Sequence, residues 1–376
     1  MESDTLRVHP SLRDPDRERV LDWLTALLPL LIVSVIYYRG QALALHVTAV
    51  GGYLMAALLL AWAMKAPWTE LRVVPAVVGG LLAAFCLPAG APGWLAALFG
   101  GIVAVAQTVP ALIGRVKPDW RLTQPLVHPV LLAFLLVRIV FPAHFADYTM
   151  PAQFIPVDGV AGATPLSALR GGEVADFWQL LFGIHAGAIG EGCVAAILLG
   201  ALFLILRRRV RLIAPATLIV TVALFSWVFW GTIGYALYSI LAGGVLLAAL
   251  LFADKTTAPD APRDQIVVGV VAGVITVLIR RFSGWAEGAA VGVLAAQAVV
   301  PLLPFVYKVC RIAWTHLARW SRAAWIWMKP HLMRLFRFVG AHIAVGAHRL
   351  WAAICLCGKA LFARIKDLLQ KRKNNS

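Results

Sequence analysis

One hydroxyl stands out in the stretch Asp158-Gly159-Val160-Ala161-Gly162-Ala163-Thr164-Pro165-Leu166. Glycine and alanine surround Thr164, so a second enzyme can approach the backbone closely and modify the threonine oxygen. A turn-rich connector has the same composition, and the nine residues alone leave both readings open. Two charged side chains inside apolar surroundings are the other candidates for chemistry. Glu191 is expensive to bury as a carboxylate, which marks it as functional, as a hydrogen-bond partner or part of a cation path, unless it only opens a helix beside the helix dipole. Arg138 can pair with an anion or reach out to the membrane interface.

The elements that must position these residues are membrane helices. Of the 376 residues 61% are hydrophobic, and the mean hydropathy is +0.82, well outside the soluble range. Apolar segments fall at 22–38, 42–64, 73–90, 93–114, 125–142, 183–206, 211–230, 233–253, 265–279 and 287–307. The fold class expected is all-α: a polytopic transmembrane helical bundle of about ten crossings, followed by a basic amphipathic helical tail. Gly79-Gly80, Pro110 and Gly243-Gly244 inside these segments predict close helix packing and broken helices.

Lys and Arg follow the even-numbered segments, at Lys65, Arg72, Arg115, Lys117, Arg121, Arg207 to Arg211, Lys255 and Arg263. The odd-numbered ends carry few, with Arg280-Arg281 as the exception. The positive-inside rule then puts both termini in the cytoplasm and the Thr164 loop outside, in a bacterial inner membrane. Three regions are expected: a cytoplasmic segment at 1–20, a transmembrane domain at 21–307 with its outer loop at 143–177, and a cytoplasmic tail at 308–376.

That tail holds fourteen Lys and Arg against one acid, Asp367, and so supplies most of the net charge of +16. Trp314, Trp320, Trp325, Trp327 and Trp351 lie among the charges. A helix on anionic lipid is the expectation, ahead of protein docking and with no nucleic acid. The five cysteines have no metal or redox spacing and read as packing residues. His46, His128 and His185 can in principle ligate haem, but a satisfied buried histidine is the simpler reading. No nucleotide-binding or zinc-protease motif is present.

Three further stretches accompany the Thr164 loop: Gly183-Ile184-His185-Ala186-Gly187-Ala188-Ile189-Gly190-Glu191, Ser239 to Pro259, and Leu278 to Gly288 leading to Pro301-Leu302-Leu303. In this order and spacing the chain resembles the D subunit of Rnf-type ion-translocating ferredoxin:NAD oxidoreductases, which shares a family with the B subunit of the sodium-translocating NADH:quinone reductase. The resemblance implies FMN joined through its phosphate to Thr164 by a separate flavin transferase, with Asp158, Gly159, Gly162 and Ala163 as the recognition sequence. It also implies partner membrane and flavoprotein subunits and coupling to Na+ or H+ movement. A second, non-covalent flavin such as riboflavin is a further expectation, and the chain is not expected to turn over alone. Glu191 and Arg138 are then candidate contacts of the covalent flavin. A transporter, or a scaffold whose tail recruits partners, is the alternative when the loop is set aside. The chain departs from the family pattern at Val127-His128-Pro129-Val130, at Phe134 with Arg138 one turn on, at Ala253-Asp254-Lys255 and at Gln297, as a diverged member would.

Overall fold

The computed structural model describes residues 15–63, 73–116, 125–145, 148–149, 151, 161–162, 176–283, 285 and 288–309, and parts of 311–334 with 351 and 358. The chain divides into two units, Met1–Leu303 and Pro304–Ser376.

In the first unit, α1 (Pro15–Ala63) is continuous except at Arg39, whose φ of 51° and ψ of −131° are not helical. Unbroken, so long a helix would run about 70 Å, more than twice a bilayer core of about 30 Å. The break at Arg39 divides it into two arms matching the apolar segments 22–38 and 42–64. The helices α2 (Val73–Phe85), α3 (Gly93–Val116) and α4 (Pro129–Val140) follow. A 3-10 turn at Pro142–Phe145 leads to β1 (Tyr148–Thr149), which pairs antiparallel with β2 (Ala161–Gly162). Then come α5 (Phe177–Phe182), α6 (Val194–Leu206), α7 (Ile213–Trp230), α8 (Ile233–Leu241), α9 (Val245–Phe252), α10 (Pro262–Phe282) and α11 (Gly288–Val299).

Among the described residues, five helical stretches are long and apolar enough to cross a membrane: Glu18–Ala63, Gly93–Pro110, Ile213–Trp230, Pro262–Phe282 and Gly288–Val309. The pair α8 and α9, bent by 61° at its break, makes a sixth. The protein is a multi-pass helical membrane protein. Ten full-length crossings are not what the described residues show. The apolar segments at 73–90, 125–142 and 183–206 contain helices of only 12 or 13 residues, about 20 Å long. Their apolar runs continue into turns instead of further helix. Two of those turns satisfy each other: Ile189 N–H donates to Leu87 O at 2.9 Å, and Gly190 N–H to Phe85 O at 2.8 Å. Irregular backbone is tolerated at membrane depth where protein, not lipid, completes its hydrogen bonds.

Small residues set the packing. A Cβ on Gly52 or Gly100 would run into the backbone of Ala97 or Ala49 respectively, so the second arm of α1 and α3 touch along their backbones. Gly273 against Thr221, and Gly292 against Ala272 and Thr276, do the same for α10 with α7 and α11. Such contacts replace the hydrophobic effect, which lipid removes as a driving force.

In the second unit, the described Trp314, Trp320, Trp325, Trp327 and Trp351 are helical and exposed, and Trp327 lies 5.0 Å from the His331 ring.

Candidate functional site

The two ends of the first unit differ in chemistry. At one end the acids of α1 meet the basic residues around α7. Asp22 accepts from Arg207 Nε at 3.0 Å and pairs with Arg209, which also reaches Glu18 at 3.2 Å. These contacts hold the Arg209 guanidinium above its ordinary pKa. Arg211 donates to Ala258 O at 2.6 Å and pairs with Asp260, and Lys255 donates to Arg208 O at 2.6 Å. Asp254 pairs with Arg19 and accepts from Thr256 N–H at 3.1 Å and Thr256 Oγ1 at 2.8 Å.

The same end gathers three of the departures from the family pattern. His128, at the start of α4, points Nε2 toward Asp254 Oδ2 at 4.0 Å. Its backbone N–H donates to Gln297 Oε1 at 2.7 Å, and Gln297 Nε2 donates to Thr257 Oγ1 at 3.0 Å. Residues 169 and 40 positions apart thus form one buried polar joint.

The other end holds the described flanks of the Thr164 loop, Pro142–Phe145, Tyr148–Thr149 and Ala161–Gly162. The first arm of α1 reaches it at Tyr37, whose hydroxyl donates to Phe182 O at 2.6 Å. Asp158, Gly159, Ala163 and Thr164 lie outside the described residues. Gly162 is described in β2, where it pairs with Tyr148 two residues before Thr164. Tyr148 packs on Ala186 and Ala188, in the turn that leads to Glu191. Arg138, in the last turn of α4, donates from Nη1 to Pro142 O at 3.2 Å. Its guanidinium carbon lies 5.1 Å from the Phe145 ring centre and 6.0 Å from that of Trp285. Trp94 packs edge-on against Phe141 and His144, extending this aromatic rim.

Glu191 is half-buried and precedes α6 by three positions, separated from it by Gly192 and Cys193. It therefore lies outside the first helical turn, where the dipole would favour it. Its carboxylate instead rests against the break between α8 and α9. A Cβ on Gly244 would collide with that carboxylate, and Gly244 also has a φ of +68°. Glycine is required there on both counts. Cys86, Phe134, Gly243 and Leu247 line the same small cavity, about 20 Å³, room for one water.

Arg280, which the distribution of basic residues marks only as an exception, also reaches that break. It is buried. Nη1 donates to Ser239 O at 2.6 Å and Ser239 Oγ at 3.0 Å, and Nη2 to Gly243 O at 2.8 Å and Ala242 O at 3.2 Å. One guanidinium caps the carbonyls freed where α8 ends. Arg280 is thus no loop charge, and Arg281, which is exposed, alone departs from the alternation. The signal in the sequence is the Gly243-Gly244 break itself, whose freed carbonyls need a donor.

Among the described residues no cluster of three or more His, Cys, Asp or Glu can hold a metal. His46 Nδ1 lies 2.6 Å from Ala42 O and His185 Nδ1 3.1 Å from Ala186 O, and the buried Nε2 of each is left without a hydrogen bond. Cys86 and Cys193 are buried and free.

The arrangement is that of a membrane bundle with an anchored loop base, an arginine in an aromatic rim, and a carboxylate and a guanidinium at a broken helix. The model of the NQR2, RnfD, RnfE family matches residues 7–311. The chain belongs to this family. Among relatives, the D subunit of the Na(+)-translocating ferredoxin:NAD(+) oxidoreductase complex of Acetobacterium woodii is 30% identical over 288 residues, covering 74% of this chain and 85% of that protein. The D subunit of the proton-translocating ferredoxin:NAD(+) oxidoreductase complex of Clostridium ljungdahlii is 29% identical over 244 residues, covering 61% and 71%. The D subunit of an ion-translocating oxidoreductase complex of Salmonella arizonae is 28% identical over 301 residues, covering 71% and 85%. This NQR2, RnfD, RnfE family member carries 65 residues beyond the matched range, and they include most of its basic tail.

Proposed function

We propose that this chain is the membrane subunit of a multi-subunit, ion-translocating redox complex. It carries FMN through a phosphoester on Thr164 and relays electrons at the outer membrane face. The observation that carries this reading is the anchoring of the Gly162 strand by Tyr148 onto the turn that leads to Glu191. The sequence Asp158 to Thr164, the family match and the relatives' names support it further.

The residues near the loop base suit a phosphate-linked flavin. Arg138 offers a guanidinium to a phosphate, and Phe145 and Trp285 offer aromatic surface beside it. FMN, when attached, supplies electron transfer, while the protein supplies position and local field. The tether would hold the cofactor without enclosing its ring, leaving an edge open to partner subunits. Glu191 and Arg280, both at the Gly243–Gly244 break, supply the charges that bear on ion movement through the bundle. Absolute orientation follows from the basic ends, with the Arg207 to Arg211 end in the cytoplasm.

The test is co-expression with a flavin transferase. The denatured chain should keep a fluorescent, FMN-sized mass adduct that Thr164→Ala removes. An unmodified wild-type peptide spanning Thr164, in cells where a control acceptor is modified, would overturn the proposal. Flavin released on denaturation of the Thr164→Ala protein would report a second, non-covalent flavin such as riboflavin.

A further inference from the structure

The residues from Lys308 onward, nearly all beyond the family match, carry thirteen of the chain's net charge of sixteen and a set of tryptophans. Trp314, Trp320, Trp325 and Trp327 are between 56% and 76% exposed, so the described part of the tail does not bury them. Lys308, Arg311, Arg319 and Lys329 are exposed as well. The described stretches at 303–309, 314–315, 319–321 and 325–334 are helical. By sequence spacing alone, at a helical period of about 100° per residue, Trp314, Trp320, Trp325, Trp327 and Met328 fall within one arc of about 160°. Lys308, Arg311, Arg319 and Lys329 fall within an opposing arc of about 80°. Ile326 alone of the exposed apolar residues from Trp314 to Lys329 falls among the basic ones.

We infer that the described helical stretches between Lys308 and Lys329 bind the anionic lipid surface of the membrane in which the protein sits. Two properties select this occupant. Exposed tryptophans prefer the headgroup level, where an apolar ring and a polar N–H are both accommodated. The five basic residues of this stretch, Lys308, Arg311, Arg319, Arg322 and Lys329, with no acid among them, complement anionic headgroups, each nearby Lys or Arg adding to the attraction. The stretch follows the span Gly288–Val309 in sequence, which keeps it within reach of that surface. The inference is independent of the flavin on Thr164.

The test uses the full chain with a C-terminal epitope, placed in nanodiscs of phosphatidylcholine alone or mixed with phosphatidylglycerol. Trypsin should release the tail roughly tenfold or more slowly from the anionic discs. High salt or a Lys308→Gln/Arg311→Gln/Arg319→Gln variant should weaken that protection. Brominated lipid should quench tryptophan emission less in a Trp314→Ser/Trp325→Ser protein than in wild type. Equal release from both discs would overturn the inference, as would protection that appears only on adding partner proteins or nucleic acid.

Discussion

Arg280 holds the end of a broken helix, donating from Nη1 to the carbonyl oxygen of Ser239 at 2.6 Å and from Nη2 to that of Gly243 at 2.8 Å. Breaking α8 from α9 frees carbonyls inside an apolar bundle, and a buried arginine is a compact source of several donors. At the same break, Gly244 leaves room for the Glu191 carboxylate.

Replacing Arg280 therefore has a large effect. Arg280→Met removes four hydrogen bonds and leaves buried carbonyls without them. A loss of about 3 kcal/mol is expected, read as a lowered thermal midpoint in detergent. Arg281→Met, at an exposed position, should leave the midpoint near wild type. Equal effects of the two changes would contradict the assigned role.

The joint at the other end is tested through Gln297. Gln297→Leu leaves the buried His128 N–H and the Thr257 hydroxyl without this partner, at a cost of about 2 kcal/mol. Thr257→Val should cost less on its own. In a double-mutant cycle the two changes should be strongly non-additive, because they share one hydrogen bond.

Close helix contact predicts a contrast between neighbouring glycines. A Cβ at Gly100 would meet the backbone of Ala49, whereas one at Gly101 would meet only Ala56 Cβ, at 3.6 Å, and Gly52 O, also at 3.6 Å. Gly100→Val should reduce the yield of folded protein severalfold, and Gly101→Ala should be tolerated. Size-exclusion profiles in detergent distinguish the two.

Orientation is open to direct measurement. In a cysteine-free background, Gly171→Cys should react with a membrane-impermeant thiol reagent in whole cells. Reaction only after lysis would place the Thr164 loop on the cytoplasmic side.

The sequence by itself determined that this is a multi-pass helical membrane protein of the NQR2, RnfD, RnfE family. Composition and the runs of apolar residues require burial in lipid, and the motifs from Gly183 to Glu191 and Leu278 to Gly288 are local strings. Gly243-Gly244 also announced a break, because glycine lacks the Cβ that favours a continuous helix. Tertiary structure alone decided which apolar segments become short helices closed by turns. That outcome rests on backbone hydrogen bonds such as Ile189 to Leu87, which leave no mark in side-chain hydropathy. It also decided that His128, Asp254, Thr257 and Gln297 meet, and that Arg280 points inward instead of into a loop. Hydropathy and charge are read one segment at a time, whereas a buried polar partner 169 residues away is fixed only when the helices pack.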